Sequence, residues 1–306
     1  MKVLLTGITG FIGQVLMPRL LKDCPKLDIL TLNIDINEAE EKYPYNIFTN
    51  YRHIHTTDLD KVVKFNPDIV FHLAAISTSR NDKEIIKPLL AANIEFGVLL
   101  LETLSHCSNL KLFVNTGSFA EYRLGSKKAN NAYLYSATKT AFRSFVEYYS
   151  GLTGYKYITV VPYTVYGGDS TVKRLIDFIF ESLDSENPID MTNGEQILDF
   201  IHVNDIASFL IQIIYNIKLF LLINSGEEFH LGTGKGTSIK ELVQIIENKT
   251  GRKCNINWGG LPYRDREIMH TVAPIAKNLI YLGWKASISL EKGLEEMLLR
   301  NGHKIK

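Results

Sequence analysis

Through the first half of the chain, short apolar runs alternate with longer segments whose apolar positions recur at helical spacing. Residues 3–5, 29–32, 69–73, 112–114 and 158–161 are rich in leucine and β-branched residues and lack an in-and-out alternation. Strands buried on both faces, as in a parallel sheet covered by helices, read this way. Helical patterns near residues 11–21, 89–107 and 132–149 lie between them. The alternation predicts an α/β fold, a doubly wound parallel sheet with helices on both faces. Pro18 falls inside the first helix, where the lost N–H predicts a kink or a compensating partner. From about Tyr166 the rhythm breaks, and Gly167-Gly168, Asn187-Pro188, Asn193-Gly194 and residues 232–236 punctuate a mixed region. The expected organisation is a first domain over residues 1–165 and a smaller, mixed C-terminal domain over 166–306. Residues of about 196–223 are expected to return to the first domain.

Gly7-Ile-Thr-Gly10-Phe-Ile-Gly13 follows the first strand directly and opens a helix. Glycine is needed where backbone must turn tightly or approach a pyrophosphate, and the helix N-terminus offers unpaired N–H groups to the anion. The spacing is GxxGxxG rather than GxGxxG, but its position in a strand–helix–strand unit predicts a Rossmann-type dinucleotide site. Gly7, Gly10, Phe11, Ile12 and Gly13 are its expected cofactor-binding residues. An acidic residue about twenty positions on would hold the adenosine ribose. Asp35 and Asn33 are the alternatives, and Asp58-Leu59 is placed to meet adenine. No Arg or Lys stands nearby to favour a 2′-phosphate. The cofactor expectation is therefore NAD(H) or NADP(H), with NAD(H) slightly favoured.

Tyr135-Ser-Ala-Thr-Lys139 sets a phenol and an ammonium four residues apart on one helix face. A nearby ammonium favours tyrosinate, so Tyr135 could exchange a proton with a sugar or alcohol hydroxyl. Val114-Asn-Thr-Gly-Ser118 is a strand running into small hydroxyl residues, which would bring Ser118 to the same reacting oxygen. The glycine turn, the hydroxyl residue and the Tyr–Lys pair follow one another at plausible distances, and jointly they point to proton-coupled hydride chemistry.

Charge and cysteine content narrow the partners. With 34 Lys plus Arg against 33 Asp plus Glu, a net charge of +1 gives no platform for nucleic acid. Cys24, Cys107 and Cys254 are widely spaced, which argues against a disulfide framework or a zinc site and for a reducing cytoplasm. No bound metal is expected. The most apolar stretch, 209–223, is broken by Gln212, Asn216 and Lys218, so no membrane span is expected. The length of 306 residues suits about two domains.

Taken together, these motifs resemble the extended short-chain dehydrogenase/reductase family (the NAD-dependent epimerase/dehydratase type), in its branch acting on nucleotide sugars. The resemblance runs over essentially the whole chain. His72-Leu73-Ala74-Ala75 resembles the family segment lining the cofactor, and Asn93 its structural helix asparagine. Pro162-Tyr-Thr-Val165-Tyr-Gly167 is similar to the segment whose backbone meets the nicotinamide carboxamide. Asp199-Phe-Ile-His-Val-Asn-Asp205, Leu231-Gly-Thr-Gly234, Tyr263-Arg-Asp-Arg-Glu-Ile-Met269 and Leu282-Gly-Trp284 match further landmarks. The resemblance implies that Ser118, Tyr135 and Lys139 are catalytic, with Tyr135 and Lys139 also touching the cofactor. It implies that Ser77, Ser118 and Thr164 meet the substrate and that Arg264 binds its pyrophosphate. It further implies a homodimer through a four-helix bundle made by the helices over 89–107 and 132–149. Leu198, Thr164 and Pro274 depart from the arginine, asparagine and aspartate frequent at those places in the family.

Within the family, a dehydratase carries an Asp-Glu pair after the catalytic hydroxyl residue, where this chain has Phe119-Ala120. An epimerase/reductase of the fucose type needs a cysteine beside the ketone, and Cys107 lies upstream at a helix end. Two reactions remain. The first is 4-ketoreduction, with hydride passing from NAD(P)H to a nucleotide-linked 4-keto-6-deoxyhexose and Tyr135 as general acid. The second is 4-epimerisation of the UDP-glucose/galactose type with retained NAD. Asn115–Phe119, Asn193–Gln196 and the 264–269 segment resemble the nucleotide-sugar 4-ketoreductases more than the galactose epimerases. A non-catalytic dinucleotide sensor is the remote third reading, since fold does not fix function.

Overall fold

The computed structural model describes residues 1–44, 50–169 and 172–305. β1 (Lys2–Thr6) passes through the glycine turn into α1 (Gly13–Asp23). β2 (Asp28–Asn33), α2 (Ile36–Lys42), β3 (Tyr51–His55), α3 (Leu59–Phe65) and β4 (Ile69–His72) continue the alternation. α4 (Lys83–Leu90) runs through a π turn, Ala91–Glu95, into α5 (Phe96–Leu104). β5 (Leu112–Thr116), α6 (Leu134–Thr153), β6 (Lys156–Pro162) and the short β7 (Thr164–Tyr166) follow. Next come α7 (Leu175–Glu181), β8 (Ile189–Met191), β9 (Ile197–Leu198), β10 (Phe200–His202), α8 (Val203–Tyr215) and α9 (Ile217–Phe220). β11 (Glu227–Leu231), β12 (Thr237–Ser238), α10 (Ile239–Thr250), β13 (Ile256–Trp258), β14 (His270–Thr271), α11 (Ala276–Leu282) and α12 (Leu290–Arg300) complete the order.

Seven strands form one parallel sheet in the order β11-β6-β5-β4-β1-β2-β3, so the fold is the expected doubly wound Rossmann-type sheet. Alternate residues of the central strands β1, β2, β4 and β5 feed two separate cores. Val3, Leu5 and Phe71 pack with Leu16 of α1 and Phe209 of α8 on one face. Leu4, Val70 and Phe113 pack with Leu101 of α5 and Phe142 of α6 on the other. Burial on both faces is why these strands carry near-continuous apolar runs. A third core, including Ile179, Leu242 and Leu298, lies within the mixed C-terminal half. Its strands make small two- and three-stranded sheets.

Several boundaries differ from the sequence reading. The five expected strands are present, four of them longer than expected, and the one expected over 69–73 (β4) ends at His72. The helix expected over 89–107 begins at Lys83, because Asp82 caps it by accepting the Ile85 N–H at 3.2 Å, and ends at Leu104. It is also interrupted by the π turn, which apolar periodicity alone cannot reveal. The helix expected over 132–149 runs to Thr153 and stops at Gly154, which adopts φ +84°. Pro18 sits inside α1, and the Gln14 carbonyl that it leaves without a helical donor accepts the Tyr43 hydroxyl at 3.3 Å.

Strand order reverses between β1 and β4. The connections after these two strands leave in opposite directions, which opens a crevice at their carboxyl ends.

Candidate active site

The crevice holds a cavity of about 320 Å³, within the range of small-molecule sites. One wall is bare backbone. Gly7 turns at φ +73°, and a Cβ there would lie 2.7 Å from the Ala74 amide nitrogen. A Cβ on Gly13 would come within 2.1 Å of the Gly7 carbonyl oxygen, and one on Gly10 within 3.2 Å of the same atom. The turn therefore folds back on itself at a distance only glycine permits. No side chain caps α1 at Ile12; the Gln14 and Leu16 N–H groups donate to the Gly10 and Ile12 carbonyls at 2.9 and 3.0 Å, and the positive end of the helix faces the glycine turn with no side chain over it.

The segment after β4 forms the floor. Thr6 Oγ1 lies 3.0 Å from His72 Nδ1 and accepts the Ala74 N–H at 3.1 Å. His72 is buried among the rings of Phe96, Phe113 and Phe142, and burial pushes its pKa down to about 3, so it stays neutral. Asn93, in the π turn, accepts the Ile76 N–H at 2.8 Å and donates to the Ile76 carbonyl and to Thr138 Oγ1, both at 3.0 Å. It ties the floor to α6, the structural role that its resemblance implied.

The opposite wall is polar. Ser118 ends the connection from β5 and caps a single 3₁₀ turn, Phe119–Glu121, where its Oγ accepts the Ala120 N–H at 3.2 Å. Tyr135 and Lys139 project from the first turns of α6 into the same cavity. Burial raises the Tyr135 pKa, while the Ser77 and Ser118 hydroxyls approach its oxygen and favour the ionised form. Glu121 adds to the rise, and Arg174, a cation that the sequence reading did not single out, acts weakly in the opposite sense. Lys139 is itself only 3% exposed, and burial holds it down to about 8, against an opposing pull from Glu121. The phenol is thus kept protonated and the amine is poised near neutrality. That is a proton donor beside a titratable cation.

Of the sequence-derived candidates, Gly7, Gly10, Phe11, Ile12, Gly13, Leu73, Ala75, Ser77, Ser118, Tyr135, Lys139, Pro162, Thr164 and Val165 line this cavity together. Ala74 lies behind Gly7. Asn33, Asp35, Asp58 and Leu59 stay at the ends of β2 and β3, outside it. The Asn33 amide donates to Thr31 Oγ1 at 2.8 Å. Asp35 caps α2 by accepting the Glu38 N–H at 3.1 Å, and Asp58 pairs with Lys61 at 2.8 Å. Leu59 packs against the second core. Arg264 also lies outside the cavity, donating to Ser79 Oγ at 3.2 Å, with Glu267 3.5 Å away.

Other lining residues escaped the sequence reading. Arg174 reaches back from the segment before α7 and rests its guanidinium 3.8 Å from the Phe11 ring centroid. Phe119 stacks on Tyr163, and Thr116, Phe200 and Met297 are also among the lining residues. Nothing in the local sequence marks Arg174. Glu121 did carry a signal, because Ser118-x-x-Glu121 has capping-box spacing, and both of its reciprocal bonds form. The hydroxyls of Thr116 and Thr164 are buried at the cavity without a protein partner. With the glycine turn and the uncapped helix, they fit a polar, phosphate-bearing dinucleotide and its co-substrate. Among the described residues no acidic, histidine or cysteine cluster is arranged to hold a metal, and no helix is long and apolar enough to cross a membrane.

Residues 3–223 match the NAD dependent epimerase/dehydratase family. A CDP-abequose synthase of Salmonella muenchen is 30% identical, with 97% of each chain covered. A putative UDP-glucose 4-epimerase of Methanocaldococcus jannaschii is 27% identical over 97% of each chain. Among solved structures, the UDP-glucuronic acid 4-epimerase from Bacillus cereus, in complex with UDP-glucuronic acid and NAD, superposes with a TM-score of 0.84. That alignment has 22% identity and covers 99% of this chain and 100% of the other.

Proposed function

The chain belongs to the NAD-dependent epimerase/dehydratase family, and from that premise we propose that it is a nucleotide-sugar 4-ketoreductase acting on a nucleotide-linked 4-keto-6-deoxyhexose. The observation that carries this reading is the full-length similarity to a CDP-abequose synthase. When bound, a reduced nicotinamide dinucleotide supplies the hydride. Ser118 and Tyr135 reach the same ketone oxygen, and the protonated phenol donates to it as the carbon is reduced. Lys139, four residues after Tyr135 on α6 and lining the same cavity, is the ammonium that steadies the resulting phenolate. Thr116 and Thr164 offer hydrogen bonds to the reactants. Phe119, stacked on Tyr163, stands where elimination chemistry would need a carboxylic acid. Glu121 does not replace that acid, since both of its oxygens are engaged below Ser118.

The deciding assay follows cofactor absorbance with CDP-linked and dTDP-linked 4-keto-6-deoxyhexoses. Stoichiometric consumption of reduced cofactor is expected. The full-length similarity to a putative UDP-glucose 4-epimerase favours epimerisation as the second reading. Incubation with UDP-glucose and no added cofactor tests it, and UDP-galactose without net absorbance change would overturn the reductase assignment.

The finer features follow the same reading. NADH is slightly preferred over NADPH, and titration of both is the check. Leu90, Leu99, Phe145, Tyr148 and Leu152 leave apolar surface on α4, α5 and α6, which supports a homodimer through a four-helix bundle. A monomeric mass by light scattering at micromolar concentration would refute that dimer. Three free thiols support a reducing cytoplasm as the compartment.

A further inference from the structure

Beside Ser118 and Lys139 lies a group of buried and half-buried charges that the reaction above does not use. Glu121 is 1% exposed. Its Oε1 accepts the Ser118 N–H at 2.8 Å and an Arg143 N–H at 3.0 Å. Its Oε2 accepts Arg143 Nε–H at 2.8 Å and the Thr140 hydroxyl at 3.0 Å. Arg143 also pairs with Glu228, which accepts the Tyr122 hydroxyl at 2.7 Å and lies 3.3 Å from His230 Nε2. Two carboxylates thus face one guanidinium. The second cation of the set is Lys139, one helical turn before Arg143 on α6.

We propose that Glu121 is a positioning residue, which fixes the Ser118 backbone and supplies the buried negative charge that sustains the Lys139 ammonium. A buried ammonium is costly unless an opposite charge is near, and the Glu121 carboxylate is brought to this stretch of α6 by its bonds to Thr140 and Arg143, one and four residues after Lys139, where it acts on the ammonium. Arg143 acts on Lys139 in the opposite sense and holds Glu121 in place by a bidentate pair. The remaining groups are accounted for. His72 of β4 is neutral, Tyr135 of α6 is protonated, Arg174 acts on Tyr135, and Glu228 of β11 is spent on Arg143, Tyr122 and His230.

The kinetic consequence rests on the proposed role of Lys139 in proton transfer, whereas the charge relation does not, so the two are read separately. In the full chain carrying ¹³Cε-labelled lysine, the Lys139 signal is assigned by its loss in Lys139→Met and titrated by NMR. Glu121→Gln is expected to move its midpoint to lower pH by about one pH unit. Glu121→Gln/Arg143→Gln, which removes both opposing charges, is expected to restore part of that shift. The alkaline limb of kcat/KM should move in step. An unchanged Lys139 midpoint in folded Glu121→Gln, or a folded double variant that restores none of the shift, overturns the proposal. If both midpoints move as expected while the pH–rate profile does not, the charge relation is supported and the kinetic role of Lys139 falls instead.

Discussion

On one side of the cavity, Gly7, Gly10 and Gly13 present backbone with no side chain at all. On the other, Ser118, Tyr135 and Lys139 stand over the buried Glu121–Arg143 pair. The glycine wall is built for contact: its amides need only close approach, and any added atom collides. The α6 wall is built for charge: its groups need burial, which raises the tyrosine, depresses the lysine and makes each neighbouring charge count. A recognition surface can therefore be neutral and cheap to bury, whereas a proton-transfer surface carries a stability cost that buried partners must offset.

The largest effect expected is on the charged wall. Tyr135→Phe should lower turnover by about two to four powers of ten, the usual loss for a general acid, with cofactor affinity nearly unchanged by fluorescence titration. Turnover at the wild-type rate on a true substrate would remove Tyr135 from the mechanism. The glycine wall should fail in the opposite way. Gly13→Ala puts a Cβ 2.1 Å from the Gly7 carbonyl, so the turn must open. A stability loss of about 1–3 kcal/mol and markedly weaker cofactor binding are expected, read by urea unfolding and calorimetry. Unaltered cofactor affinity would mean that close approach at this turn is not what binds.

Lys139→Met sharpens the contrast through pH. Burial sets the folded pKa of Lys139 at about 8, below the 10.5 of an ordinary lysine. The unfolded chain therefore binds the proton more tightly. The resulting cost is fully present below about pH 8 and disappears as pH rises through 10.5. The variant should be inactive yet more stable at pH 7 by roughly 1–2 kcal/mol, discounted because Glu121 loses its balancing cation. Its advantage should shrink between pH 8 and 10.5. Urea midpoints showing a less stable variant at pH 7 would refute a net cost. The smallest effect concerns the adenosine end. Asp35→Ala should lose about 1 kcal/mol from the missing helix cap and shift the NADH/NADPH ratio less than about threefold, because the carboxylate serves α2. A larger shift would show that Asp35 faces the ribose.

The sequence by itself determined the sheet and, through its motifs and the family they resemble, roughly half of the lining of the cavity. Apolar runs such as Leu112–Thr116 declare burial on both faces, and GxxGxxG and YxxxK are local spacings whose geometry follows from one turn or one helix. The fold and the joint order of these motifs were legible because each depends on neighbours in the chain. The capping-box spacing of Ser118 and Glu121 was equally local, but its energetic meaning was not. Glu121 becomes a buried charge only because Arg143 comes from 22 residues away and Glu228 joins Arg143 from a further 85. Arg174 meets Phe11 in the same long-range manner. Tertiary structure alone decided that burial depresses Lys139 and raises Tyr135, and that Ser77, Ser118, Glu121 and Arg174 meet around that phenol. Ionisation is set by burial and by charges brought together in space, and neither is written in the spacing of residues along one helix.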